Sequence, residues 1–196
     1  MKVVAFNGSP RRGGNTEQML WIVLNELIKH GIETEFVQVG GTELRFCKAC
    51  GYCHTNKTAK CAISKDPVNE WIEKIIAADG IILGSPVYFH NVTGEMKAFI
   101  DRVGFVARGN GRIFTGKIGA GLVAMRRMGA MSALDAMFNF FVSMQMYVVA
   151  APSLVVATDK GDAARDPEGL QSMEALGKNM SKLLEMRDLY LRSRPL

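Results

Sequence analysis

The chain has 196 residues, 48% hydrophobic and 22% charged, with a net charge of +5. That composition suits one α/β domain spanning 1–196 with a sizeable core, and it excludes a disordered chain. No apolar run reaches the length of a membrane span, and the positive charge forms no long block, so neither a membrane nor a nucleic-acid partner is expected.

Strand and helix patterns alternate along the chain. Val3–Phe6 reads as a first strand. Thr16–Lys29 has helical spacing, with Met19, Leu20, Val23, Leu24, Leu27 and Ile28 on one face and Gly31 as its stop. Thr34–Val39 is a second strand. A long irregular segment, 40–66, follows and holds all four cysteines. Val68–Ala78 reads as a helix, Gly80–Leu83 as a continuously apolar central strand, and Glu95–Val106 as a helix. Lys117–Ala124 is a fourth strand, and Ser132–Met144 a helix. Tyr147–Ala151 and Leu154–Ala157 form a fifth strand interrupted at Pro152. Glu168–Tyr190 is a terminal helix. Several of the twelve methionines fall between Met125 and Met146, where core packing accounts for them. The chain enters its first strand directly, without a secretory-signal pattern, so a cytoplasmic location is expected.

Alternating strands and helices imply right-handed crossovers and a parallel sheet covered on both faces. Five strands fit the doubly wound order 2-1-3-4-5, in which a ligand binds where the winding reverses, at the carboxyl ends of strands 1 and 3.

The turn after strand 1 is Asn7-Gly8-Ser9-Pro10-Arg11-Arg12-Gly13-Gly14, and a helix starts near Asn15 or Thr16. Unpaired amides there can bind phosphate, helped by the helix dipole. Ser9, Asn15 and Thr16 add polar side chains, and Arg11 and Arg12 add charge. The turn lacks the Lys-Ser/Thr ending of a P-loop and the glycine spacing of a dinucleotide fold. It suits a mononucleotide such as FMN, and equally a plain capped connection.

The loop after strand 3, Gly84-Ser85-Pro86-Val87-Tyr88-Phe89-His90-Asn91-Val92-Thr93-Gly94, offers Tyr88 and Phe89 to cover a flat ring and backbone groups to bond its edge. His90 reads as a loop histidine or a proton donor. Asp101 and Arg102 are adjacent on a helix, face different neighbours, and read as structural. Cys47, Cys50, Cys53 and Cys61 form a compact array, able to hold a 4Fe–4S cluster or a zinc ion. A disulfide is not expected in a reducing compartment.

The stretches Asn7–Arg11 with Gly14–Thr16, and Ser85–Phe89 followed by Lys97-Ala98-Phe99-Ile100-Asp101-Arg102, resemble the flavodoxin-like NAD(P)H-dependent FMN reductase superfamily over roughly residues 1–150. The resemblance implies an oxidoreductase with FMN phosphate at Ser9, Arg11, Asn15 and Thr16, and ring contacts at Pro86, Val87, Tyr88, Phe89 and Asn91. NAD(P)H would deliver hydride to the flavin near Tyr88 or Phe89, for a small acceptor. No residue need act as a nucleophile. A third contact loop would fall at Met125–Gly129. Some relatives carry a Gly-Gly-Gln-Glu-like segment there. This chain departs from it with Arg126-Arg127-Met128-Gly129, leaving Arg126 or Arg127 to face the flavin or a nicotinamide phosphate. The cysteine spacing resembles the iron–sulfur flavoprotein branch, which implies a 4Fe–4S cluster and, as the alternative function, electron transfer fed by ferredoxin. The resemblance also implies a homodimer or homotetramer.

Overall fold

The computed structural model describes residues 1–149 and 151–193. Its centre is a parallel sheet of β1 (Lys2–Asn7), β2 (Glu33–Gln38), β3 (Gly80–Pro86), β4 (Ile118–Met125), β5 (Tyr147–Val148) and β6 (Leu154–Val156). The order is β2-β1-β3-β4-β5, with β6 also beside β4. The interrupted fifth strand is thus two short strands on one edge. β5 pairs with Ile118 and Gly119, and β6 with Val123, Ala124 and Met125. Of the expected Tyr147–Ala151 strand, Ala150 lies outside the described residues.

Strand alternation sends Val3 and Ala5 to one face of the sheet and Val4 and Phe6 to the other. The first face is covered by α1 (Asn15–Lys29) and α6 (Pro167–Ser193). Leu20, Val23, Leu24 and Leu27 of α1 are buried with Met173, Leu176, Met180 and Leu184 of α6. α1 ends where Gly31 adopts φ of 72° and the Ile32 amide donates back to the Leu27 carbonyl. The other face carries α3 (Val68–Ala77), α4 (Gly94–Gly109) and α5 (Ala130–Ser143). Phe99 of α4 stands 4.7 Å from Phe6 and 5.8 Å from Trp71 between ring centroids. This aromatic cluster sits at the centre of that layer, where removing one ring costs about 3–5 kcal/mol.

Two elements go beyond the sequence pattern. A single helical turn, α2 (Tyr52–Asn56), lies inside the cysteine segment, and a short 3-10 turn, Asp162–Arg165, precedes α6. Among the described residues no helix is long and apolar enough to cross a membrane.

Candidate functional site

The carboxyl ends of β1 and β3 are neighbours, so their following loops meet. Side chains from both stitch them together. The Asn7 amide donates to Gln38 Oε1 at 2.9 Å, while Asn7 Oδ1 accepts from the Ser9 amide. Gln38 Nε2 in turn donates to the Ser9 and Gly40 carbonyls at 2.7 and 2.6 Å. Thr93 caps α4 and donates its hydroxyl to the Gly8 carbonyl at 2.8 Å, and its amide donates to Ser85 Oγ. Gly40 passes so close that a Cβ there would lie 2.3 Å from the Gly8 carbonyl oxygen.

This frame encloses a cleft of about 160 Å³. Ser9, Arg11, Asn15 and Thr16 line one end; Pro86, Val87, Tyr88 and Arg126 line the other. At the first end the amides of Asn15, Thr16 and Glu17 find no acceptor among the described residues, as the open start of a helix leaves them. Glu17 turns its carboxylate onto the Gly13 amide at 2.7 Å. The loop after β6 completes this end: Lys160 lines the cleft and donates Nζ to the Arg12 carbonyl at 3.0 Å. Free amides at a helix start, with the Arg11 and Lys160 cations beside them, fit a phosphate monoester.

Three expected contacts stand differently. Asn15 lines the cleft, but its side chain is occupied. Nδ2 donates to the Asp159 carbonyl at 2.8 Å, and Oδ1 accepts from the Gly161 and Ala163 amides at 2.9 and 3.3 Å. Phe89 and Asn91 do not line the cleft. Tyr88 and Asn91 exchange backbone hydrogen bonds across a tight turn, with Phe89 and His90 at its tip at φ of 45° and 70°. That turn leaves the Phe89 ring fully exposed. Lys160 escaped the sequence reading; its position after the last strand, on the rim where ligands bind in such sheets, was the available signal.

A second cavity, of about 140 Å³, is lined by all four cysteines together with Arg102, Phe105 and Val106 of α4. The cysteine loop is pinned by two asparagines that the sequence did not single out. Asn69 accepts from the Cys61 amide at 2.8 Å and donates to the Cys61 carbonyl at 3.0 Å. Asn110 donates to the Cys53 carbonyl and accepts from the Ala59 amide. Left-handed backbone at Ala49, Lys57 and Ala59 is concentrated in this loop, as at segments held in shape by their surroundings. Burial pushes the Cys53 thiol above its ordinary value, and the nearby Cys61, Cys47 and Cys50 add to the shift.

Arg102 is buried under this cavity. Nη1 donates to Asp66 Oδ2 at 2.5 Å and to the Arg45 carbonyl at 3.2 Å, and Nη2 to the Ile63 carbonyl at 3.0 Å. Burial would raise the Asp66 carboxyl, but the bonds from Arg102 and the Arg45 amide outweigh it and hold Asp66 below the usual range. Asp101, on the next face, pairs with exposed Lys97.

The strand order and the cleft at the reversal point define a flavodoxin-like protein. The chain belongs to the NADPH-dependent FMN reductase family, whose match covers residues 1–161. It is 35% identical over 200 residues to an iron–sulfur flavoprotein of Methanocaldococcus jannaschii, covering 95% of this chain and 98% of that one. An iron–sulfur flavoprotein of Methanosarcina thermophila is 32% identical over 188 residues, covering 95% and 96%. Among solved structures, RosB with bound 8-demethyl-8-formylriboflavin-5'-phosphate shares the fold, with a TM-score of 0.78 at 19% identity, over 100% of this chain and 82% of that one.

Proposed function

We propose that this chain is an electron-transferring flavoprotein. It holds FMN in the cleft between the loops after β1, β3, β4 and β6, and a 4Fe–4S cluster on Cys47, Cys50, Cys53 and Cys61. The observation that carries this reading is the convergence of four thiols on one cavity lined by α4. Among the described residues no three His, Cys, Asp or Glu side chains are grouped closely enough to hold a metal ion, so the assignment rests on the shared cavity and on the relatives. The full-length iron–sulfur flavoprotein relatives support the same assignment.

The phosphate would lie on the Asn15, Thr16 and Glu17 amides with Arg11 and Lys160 beside it, and the ring against Pro86, Val87, Tyr88 and Arg126. FMN supplies the passage between hydride and single-electron chemistry, while the protein binds and orients. Tyr88 is half-exposed at the mouth, which leaves room for a nicotinamide ring, and Arg126 beside it favours an anionic donor. The electron source is NAD(P)H or a reduced protein such as ferredoxin, and the acceptor a small molecule. Four free cysteines in one segment suit a reducing, cytoplasmic setting. The family resemblance makes a homodimer or homotetramer of this single domain the expected assembly.

An anaerobic absorbance spectrum with FMN, iron and sulfide contents from the same sample tests the reading. Flavin with about four irons per chain supports it. Flavin without iron reduces it to an FMN reductase with idle cysteines. Protein that neither retains nor takes up FMN refutes the cleft assignment.

A further inference from the structure

We propose that Arg102 is the positioning residue of the cysteine centre. It ties both ends of the cysteine loop to α4 and lends its Nε–H to sulfur on the Cys61 side of the cavity, stabilising the more negative, reduced form of the cluster. The inference rests on the assignment of a 4Fe–4S cluster to the four cysteines.

Arg102 heads the largest fully buried side chains of the protein. Three of its hydrogen bonds reach the two flanks of the cysteines, Arg45 before them and Ile63 and Asp66 after them. Asp66 Oδ2 also accepts from the Arg45 amide at 3.3 Å, so one ion pair closes the base of the loop. Removing that pair therefore loosens both flanks together.

Of the five N–H groups three are bonded, which leaves Nε–H and the second Nη2–H, and Nε is the nitrogen with no bond at all. It is the one buried side-chain polar atom among the described residues without a hydrogen-bond partner. A buried donor left unpaired is costly, and more so on a charged group, so an unpaired guanidinium N–H calls for an acceptor. Arg102 lines the cavity that the four cysteines share, and its guanidinium interacts with Cys61. Apart from the four sulfurs, the one side chain of that wall with an acceptor atom is His54, whose ring packs edge-on against Phe105. Four sulfurs share the cavity that Arg102 lines, so sulfur is the most abundant acceptor there. Asp66 is paired with Nη1, which leaves Nε outside that ion pair.

Four thiolates make a 4Fe–4S centre negative, and one added electron makes it more so. A hydrogen bond to its sulfur favours the added electron, and such bonds are a known lever on these potentials. Arg102 therefore raises the reduction potential of the centre as well as holding its loop.

The test uses the anaerobic holoprotein, titrated with dithionite as the electron donor and followed by visible bleaching and electron paramagnetic resonance. Wild type is measured first. Protein without iron after anaerobic reconstitution overturns the cluster assignment itself, before any variant is compared. Two variants then follow. Arg102→Lys keeps the charge and loses the fork. The double variant Arg102→Leu with Asp66→Asn removes the pair as a neutral unit. FMN content reports folding in both. In the double variant, the reduced-to-oxidised ratio at a set potential falls at least tenfold, about 59 mV for a one-electron couple. Arg102→Lys falls between it and wild type. Iron-loaded variants with the wild-type potential overturn the proposal. So does loss of all iron from both variants with FMN retained, which would leave Arg102 a purely structural clamp.

Discussion

Asn15 separates two accounts of the phosphate end. As a direct ligand it would donate to the cofactor; in the structure it latches the start of α1 to the loop that carries Lys160. Two of its three bonds, at 2.8 and 2.9 Å, are well formed, and the third, at 3.3 Å, is long. At about 0.5–1.5 kcal/mol net for each bond, discounted for the exposed loop, Asn15→Ala costs about 2 kcal/mol locally. That corresponds to about a thirtyfold loss of protection of the 159–163 amides, since about 1.4 kcal/mol is tenfold. The decisive assay is hydrogen exchange on FMN-free protein, where no phosphate is present to be lost. Faster exchange in 159–163, with the rest of α1 unchanged, is the expected outcome. FMN affinity then falls because Lys160 is no longer held against the Arg12 carbonyl. Unchanged exchange in the FMN-free variant, with FMN affinity still reduced, would refute the latch and restore Asn15 as a direct ligand.

Further expectations follow from the same contacts. Asn69→Ala frees the backbone of Cys61 and raises the reactivity of the thiols in apoprotein toward a disulfide reagent about tenfold or more, with FMN content unchanged. Gly40→Ala drives a methyl group into the Gly8–Ser9 backbone, so thermal stability falls and FMN affinity drops at least tenfold. Asp66 titrates below its unfolded value of about 3.9, so its stabilisation is complete above that pH and is lost as pH falls through the folded value. Acid unfolding of apoprotein followed by circular dichroism shows a shallower pH slope below about pH 4 in Asp66→Asn, alongside a lower plateau from the unpaired Arg102 charge.

Much of this architecture is legible in the sequence because its signals are local. The apolar stripe of α1, its Gly31 stop and the run at Gly80–Leu83 each report their own element, and the strand order follows from their alternation. The open start of α1 is legible for the same reason: its amides are free because of where the helix begins. The placement of Phe89 is not legible in the same way: the left-handed turn that carries its ring outward depends on the Tyr88–Asn91 pairing, which residue type does not announce. Arg102 reads as one charged residue within a helix. Its meaning lies in Asp66, 36 residues earlier, and in a cavity wall supplied by the cysteine loop. The short strands around Pro152 follow the same logic: the break is visible, but both pieces lie beside β4 only because the sheet edge accepts them.

The two sites share one rigid element, and this bears on how their perturbations separate. Thr93 caps α4 at the cleft, and Arg102, Phe105 and Val106 of the same helix line the cysteine cavity. The eight steps along the helix from Gly94 to Arg102 span about 12 Å at 1.5 Å each. The helix between them is buried through Met96, Phe99 and Val103, so neither end slides relative to the other without opening the core. Changes to the cysteine loop, as in Asn69→Ala, therefore leave the FMN cleft intact, and changes at Gly40 leave the cysteine cavity intact. A variant in the core of α4 behaves otherwise. Phe99→Ala removes the ring packed on Phe6 and Trp71 and loosens both ends together, so FMN and iron are lost in parallel as denaturant rises. Loss of iron well before FMN in that variant would show that α4 does not couple the two sites.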